Sequence, residues 1–238
     1  MNLILFTNNE KLGFLGSDDY RAKHINSIIK SKVGDTLDIG ILDGLKGSMI
    51  IKKIDNEGIF FDYELNTFSP KLHPVTFIIG TPRPPVAKRL LKDLSSSGVE
   101  KIIMCGTDLG EKTYLTSKLW KENKYMEYVR DGGIQSESTI VPEIEKFYSL
   151  KKAIDTIKPG YDKLAMDNIN PDLKLSDYRP KSSNIVIAIG GERGFSDRER
   201  ELLRSSGFKI FKMGDRILRT ETACHTALGS ILTTHGLI

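Results

Sequence analysis

Cysteine is scarce in this chain of 238 residues, with only Cys105 and Cys224, far apart in sequence. That excludes a disulfide-stapled scaffold and the paired spacing of a redox or zinc motif. Cys224 follows Ala223 on a helical pattern and reads as a small helix residue rather than a nucleophile. The four histidines, His24, His73, His225 and His235, show no ligand spacing, so no metal site is expected. No apolar run is long enough to span a bilayer. Leu3 to Phe6 is too short for the apolar core of a signal peptide and lacks a basic flank, so the cytoplasm is the expected compartment. Strong charge of one sign is also missing. A net charge of +4 permits nucleic-acid binding without demanding it. Its distribution says more: residues 1–70 hold eight basic against ten acidic side chains, leaving 27 against 21 for residues 71–238.

What is present concentrates between Asn184 and Leu232. Ile185 to Ile189 is a short apolar, β-branched run ending in Gly190-Gly191, which predicts a buried strand emptying into a sharp loop. Ser196, with Glu199 three residues on, is a capping box at the start of a helix whose inner face is Leu202 and Leu203 and whose stop is Gly207. Phe208 to Phe211 is a second strand, Gly214-Asp215 a second loop, and Thr220-Glu221 the start of a last helix lined by Ala223, Ala227, Leu228, Ile231 and Leu232. Two strands thus each lead through a glycine loop into a polar helix start, the arrangement that binds ligands beyond the carboxyl ends of an α/β sheet. Such turns are also common for geometric reasons alone. Gly190-Gly191-Glu192-Arg193-Gly194 lacks the glycine spacing of a dinucleotide fingerprint and the Lys-Ser/Thr of a P-loop.

The whole string is more specific than its parts. Ile189-Gly190-Gly191-Glu192-Arg193-Gly194-Phe195-Ser196, followed by Gly214 and Arg216-Ile217-Leu218-Arg219-Thr220-Glu221-Thr222-Ala223, resembles the C-terminal signature of the trefoil-knot (SPOUT) methyltransferases, specifically the RsmE type that methylates N3 of a uridine in 16S ribosomal RNA. The second half matches almost residue for residue. The first half departs, with Gly191 where the family has proline and Arg193 where it has glycine. The resemblance implies a bent S-adenosylmethionine held by three loops, through Met166, Ile189, Gly190, Gly191, Glu192 and Gly194, and through Met213, Gly214, Ile217, Leu218, Arg219 and Thr222. It also implies a knotted chain and a homodimer whose active sites are completed across the subunit interface.

Residues 1–70 read as a small β domain. Leu3 to Phe6, the alternating Leu37, Ile39 and Ile41, Ser48 to Ile54 and Gly58 to Glu64 are candidate strands, with turns at Asp43-Gly44, Lys46-Gly47 and Asn56-Glu57-Gly58. A short helix is predicted within 19–30. The Arg21-x-x-His24-Ile25 pattern, with Gly34-Asp35 and Asp43-Gly44, is similar to the PUA-like RNA-binding barrel that opens RsmE-type enzymes. Arg21, Lys23, His24, Lys30 and Lys32 are then the phosphate-contacting candidates, against the equal alternative of a solvated basic face.

Asn66 to Pro74 reads as a linker to the methyltransferase domain at 71–238. Val75–Gly80, a helix marked by Val86, Leu90, Leu91 and Leu94, and Lys101–Cys105 make a parallel βαβ unit. A helix is predicted from Ser117 to Asp131, its Trp120, Tyr125 and Tyr128 read as core packing, a further helix through Ile144, Phe147, Tyr148, Ile154 and Ile157, and a strand from Tyr161 to Met166. Ser95-Ser96-Ser97, residues 106–112 and residues 131–138 depart from the family pattern on the side that faces the RNA.

Methylation of a uridine N3 is an in-line displacement that needs alignment and a deprotonated base. Arg219, as a cation beside the base, and Glu221, as proton acceptor or as the partner of Arg219, are the catalytic candidates; the plainer reading is that they pair structurally at a helix start. The expected function is S-adenosylmethionine-dependent methylation of ribosomal RNA. The alternatives are an inactive RNA- or ribosome-binding relative and an unrelated nucleotide-using α/β enzyme.

Overall fold

The computed structural model describes residues 2–238, which form two compact units. One runs to Lys71 and takes in Arg130–Val141; the other comprises Leu72–Val129 and Pro142–Ile238.

The first unit contains β1 (Ile4–Phe6), β2 (Phe14–Gly16), the short helix α1 (Tyr20–His24), β3 (Thr36–Ile41), β4 (Leu45–Ile54) and β5 (Gly58–Phe68). They form one mixed sheet in the order β1-β3-β4-β5-β2, curled into half a barrel, with β1 parallel to β3 and the other pairs antiparallel. Strand periodicity places Met49 and Ile51 inside with Ile39, Ile59, Phe61 and Phe6, while Ile50 faces out. Lys46-Gly47 is not a turn. It lies within β4 at a register shift, where a Cβ on Gly47 would lie 1.9 Å from the Glu64 carbonyl oxygen. The Asn66–Pro74 linker is likewise shorter than predicted, because β5 continues to Phe68.

Residues 130–141, predicted to belong with the second domain, pack in the first unit. The amide of Asp43 donates to the Thr139 carbonyl (2.8 Å), the Thr139 hydroxyl donates to Gly44 O (2.7 Å), and its amide donates to Ser69 Oγ (2.9 Å). Ile134 joins Leu3 and Leu5 in a small apolar cluster. Nothing in local periodicity announces such a return, since these bonds span residues far apart in sequence.

The second unit holds β6 (His73–Gly80), α2 (Pro84–Ser96), β7 (Val99–Cys105), α3 (Lys118–Lys121), α4 (Tyr125–Gln135, which continues into the first unit), β8 (Glu143–Phe147), α5 (Leu150–Ile154), β9 (Asp162–Met166), β10 (Leu173–Lys174), β11 (Ile185–Ile189), α6 (Asp197–Ser205), β12 (Lys209–Lys212) and α7 (Thr220–Thr234). Seven parallel strands lie in the order β10-β12-β9-β11-β6-β7-β8. Every residue of β11 is buried, as a strand covered on both faces must be. Helices α5 and α6 cover one face, and α2 and α7 pack on each other and on β7 and β11.

Two helices differ from expectation. The stretch Ile144–Ile157 begins as β8, because pairing with β7 from Lys101↔Glu143 to Cys105↔Phe147 outweighs the local helical spacing; only Leu150–Ile154 is helical. The helix predicted from Ser117 breaks between α3 and α4 at Asn123, whose φ is 53°. Trp120 is buried and its ring lies 5.2 Å from that of Tyr125, as core packing requires. Among the described residues no helix is long and apolar enough to cross a membrane.

Candidate functional site

At the carboxyl ends of β9, β11 and β12, three loops enclose a cleft of about 310 Å³, within the usual range of ligand pockets (roughly 300–1,000 Å³). Met166 and Ile189, the buried last residues of β9 and β11, line it. Gly190 to Gly194 form one wall, and Met213, Arg216, Ile217, Leu218, Thr220 and Ala223 another. The Gly190 wall is a tight turn: the Gly194 amide donates to the Gly191 carbonyl at 3.0 Å and the two residues form a β-bridge. A side chain at Gly190 would put its Cβ 2.6 Å from the Gly194 carbonyl carbon, and Gly194 itself has φ 72°. Both glycines are therefore required by the shape of the turn.

An ion-pair network fixes the loop after β9. Arg200, on α6, pairs with Asp167 at 2.9 Å, both side chains under a tenth exposed, and with Asp197 at 2.8 Å. Asn168 donates from Nδ2 to the Arg216 carbonyl at 3.2 Å, joining this loop to the one before α7. Glu192, on the cleft wall, pairs with Arg83, whose Nε lies at 3.6 Å.

The two catalytic candidates stand at the start of α7. Arg219 is its N-cap residue; it is exposed, does not line the cleft, and its guanidinium has no hydrogen-bond or ion-pair partner among the described residues. Glu221 lies in the first turn and accepts from Arg89 of α2 at 3.2 Å. Partial burial works against its ionisation, but its own backbone N–H and the nearby Arg89 and Arg219 outweigh that, so its carboxyl titrates below the ordinary range.

Of the expected cofactor residues, Met166, Ile189, Gly190, Gly191, Glu192, Gly194, Met213, Ile217 and Leu218 come together around the cleft. Gly214 lines a separate hollow of about 490 Å³ with Lys174, Tyr178 and Arg179, and Arg219 and Thr222 line neither space. Arg216 and the Asp167–Arg200 pair line the cleft but were not singled out. Helical spacing from the buried Leu203 marks Arg200 as inward-facing, a usable signal; its partner in another loop is not visible in sequence. A further cavity of about 570 Å³ opens beyond β7 and β8, lined by Thr81, Thr107, Lys112, Ser149 and Glu199 among others.

The comparisons decide what kind of protein carries this cleft. A family profile described as an RNA methyltransferase domain matches residues 69–232. Ribosomal RNA small subunit methyltransferase E 1 of Borreliella burgdorferi is 35% identical over 239 residues, covering 100% of this chain and 99% of the relative. The chain belongs to the ribosomal RNA small subunit methyltransferase E family. A second member, from Treponema pallidum, is 33% identical over 98% of this chain and 91% of its own length. The structure of the Neisseria gonorrhoeae methyltransferase E bound to S-adenosyl methionine superposes with a TM-score of 0.81 at 22% identity, covering 98% of this chain and 97% of that one. A probable rRNA-methyltransferase from Porphyromonas gingivalis gives the same TM-score at 21% identity, covering 100% and 99%. The fold is thus that of the methyltransferase E structures, a parallel α/β sheet together with a small half-barrel.

The half-barrel's candidate RNA contacts are placed unevenly. Lys30 and Lys32 are exposed, Lys23 is exposed and pairs with Asp18 at 3.4 Å, and His24 is half-buried. Arg21 is a correction. Its side chain is 7% exposed, its guanidinium binds Glu10 and Asp19 and donates to the Leu5 carbonyl at 2.9 Å, and it lies 4.5 Å from the Phe6 ring centre. An arginine already bound by two carboxylates and a carbonyl has no free face for a phosphate. Both thiols are buried, and burial pushes each well above its ordinary pKa. No group of three or more His, Cys, Asp or Glu side chains is placed to hold a metal ion among the described residues.

Proposed function

We propose that this methyltransferase E transfers a methyl group from S-adenosylmethionine to N3 of a uridine in small-subunit ribosomal RNA. The observation that carries the proposal is the cleft at the ends of β9, β11 and β12, inside the stretch that matches the RNA methyltransferase family. Its lining suits a ligand with an apolar aromatic base and a polar amino-acid end: Met166, Ile189, Met213 and Leu218 supply apolar surface, and the Gly190–Gly194 turn would let a ligand approach the backbone. When bound, S-adenosylmethionine supplies an electrophilic methyl group.

The protein's own contribution is alignment and charge. Uridine N3 is a weak acid; its proton would pass to solvent water, and the anion left behind spreads onto the neighbouring carbonyl oxygens. The unpaired Arg219 guanidinium beside the cleft is suited to stabilise that developing charge through its donor fork. Glu221 takes the positioning role: a carboxylate whose pKa is held low is a poor acceptor for a weakly acidic proton, whereas its bond to Arg89 ties the first turn of α7 to α2. The exposed Lys23, Lys30 and Lys32 of the half-barrel would contact RNA phosphates. The working form is a homodimer in the cytoplasm. In its support, Ile217 on the cleft lip is 93% exposed, a large apolar surface that a second subunit would cover.

Calorimetric titration with S-adenosylmethionine, its demethylated product, NAD and ATP tests the cofactor. Binding of the first two alone is expected; binding of NAD or ATP instead would overturn the proposal. Transfer of labelled methyl to small ribosomal subunits tests the reaction. Replacing Arg219 by Ala should lower kcat by roughly 10²–10³ with cofactor affinity little changed. A Glu221→Gln variant that keeps most of its activity and an unshifted pH profile would agree with positioning, whereas loss of the activity's rise with pH would make Glu221 the base.

A further inference from the structure

Around the cofactor cleft the arginines fall into two groups. Arg200 and Arg83 are each held by an acid: Arg200 by Asp167 and Asp197, and Arg83 by Glu192. Arg193 and Arg216 are not. Each lines the cleft, each is exposed, and neither guanidinium has a hydrogen-bond or ion-pair partner among the described residues.

Their isolation is built into the loops that carry them. Arg193 is preceded by Glu192, an acid that could have neutralised it, but Glu192 is drawn to Arg83. Arg216 is preceded by Asp215, and Asp215 is drawn to Lys212 at 2.5 Å. In both loops the adjacent carboxylate is held by another cation, leaving one arginine open to solvent. Both backbones are also fixed: Arg193 sits in the turn closed by the Gly194 amide and Gly191 carbonyl, and Arg216 offers its carbonyl to Asn168. Long side chains mounted on fixed backbone lose less freedom on binding than side chains on a mobile loop.

We propose that Arg193 and Arg216 form a paired oxyanion site at the mouth of the cleft that grips the phosphate backbone of the RNA next to the target nucleotide. The inference rests on the methyltransferase reading of the cleft and deepens it by naming the groups that hold the substrate strand. Guanidinium forks match phosphate oxygens in pairs, and such contacts supply much of the affinity of a protein for nucleic acid. A second oxyanion, the carboxylate of the cofactor, shares the same chemistry. Exposure favours the RNA: the cleft floor is formed by the buried Met166 and Ile189 beside the already neutralised Arg200, whereas Arg193 and Arg216 stand where a polyanion arriving from solvent meets them first.

The test compares the full-length protein with Arg193→Gln, Arg216→Gln and the double variant. Lys158→Gln, on the loop before β9 at the opposite end of the strands, controls for net charge. Binding to transcribed 16S ribosomal RNA is measured by filter retention over a salt series, and binding to the demethylated cofactor by calorimetry. Each arginine variant is expected to weaken RNA binding roughly tenfold and to lower the slope of log affinity against log salt by about one, with the double variant losing about two. Cofactor affinity stays within about twofold, and the Lys158 control leaves the slope unchanged. A tenfold loss of cofactor affinity with an unaltered salt slope would overturn the proposal and assign the guanidiniums to the cofactor carboxylate. Unchanged affinity for both ligands would overturn it as well, leaving a solvated pair of arginines. If the unaltered protein fails to bind either form of the cofactor, the methyltransferase reading falls instead, and the RNA salt slopes remain readable by themselves.

Discussion

Each unit of this chain contains a buried arginine between two carboxylates, and the two triads do different work. In the half-barrel, Arg21 joins Glu10 to Asp19, the residue that also caps α1 through the Arg21 amide. In the α/β unit, Arg200 joins Asp197 to Asp167. The side chains of both arginines are 7% exposed, and neither can surrender its acids without leaving a charge in a poorly solvated place. What separates them is the segment held at the far end. Glu10 lies in a loop that lines no cleft described above, whereas Asp167 begins one of the three loops that enclose the cleft at the ends of β9, β11 and β12. A buried ion pair thus reports function only through what its partner carries.

The sharpest way to break the comparison is to remove each cation. Arg21→Ala leaves Glu10 and Asp19 facing each other and should destabilise the half-barrel by about 3–5 kcal/mol. Hydrogen exchange read peptide by peptide would show the loss in β4 and β5 while the cofactor affinity of the α/β unit is retained. Arg200→Gln should cost less stability, about 2–3 kcal/mol, because Asp197 is 97% exposed and the glutamine can still donate to Asp167. Its effect should fall on binding: with the Asp167 loop loosened, affinity for S-adenosylmethionine should drop tenfold or more by calorimetry. Equal losses of cofactor affinity in both variants would erase the distinction drawn between the two triads.

The same contrast shows what can be read from sequence. The capping box of Ser196 and Glu199, the Gly207 stop at φ 85° and the Ile185–Ile189 strand were legible because each is written in contiguous residues with a local physical cause. So were the glycine loops after Ile189 and Phe211, whereas the loop after Met166 was expected only from the family resemblance, and Gly214, Arg219 and Thr222 are not among the residues that line the cleft. Arg21 was misread because its pattern of neighbouring cations describes a basic face, while its actual partners, Glu10 and the Leu5 carbonyl, are brought to it only by folding. β8 was hidden for a related reason: its partner strand, β7, lies about 40 residues earlier in the chain and decides its conformation. Residues 130–141 joined the half-barrel through bonds to Asp43, Gly44 and Ser69, which no local pattern encodes.

The smallest expected effect is on pH dependence. Burial opposes ionisation of Glu10 and Asp19, but hydrogen bonds and the charge of Arg21 outweigh it, so both carboxyls titrate below their unfolded values. A depressed folded pKa contributes stability that is fully present above the unfolded value, about pH 4, and is lost as pH falls through the folded one. The half-barrel should therefore lose protection against hydrogen exchange, as pH falls below about 4, more steeply than expected for unpaired carboxylates. In Arg21→Met, which removes the cation but fills much of its space, that steepness should disappear even though the unit is weaker at every pH. A variant whose acid dependence remained as steep as that of the unaltered protein would show that hydrogen bonds from Thr7 and the α1 backbone, rather than the guanidinium, hold the two carboxylates low.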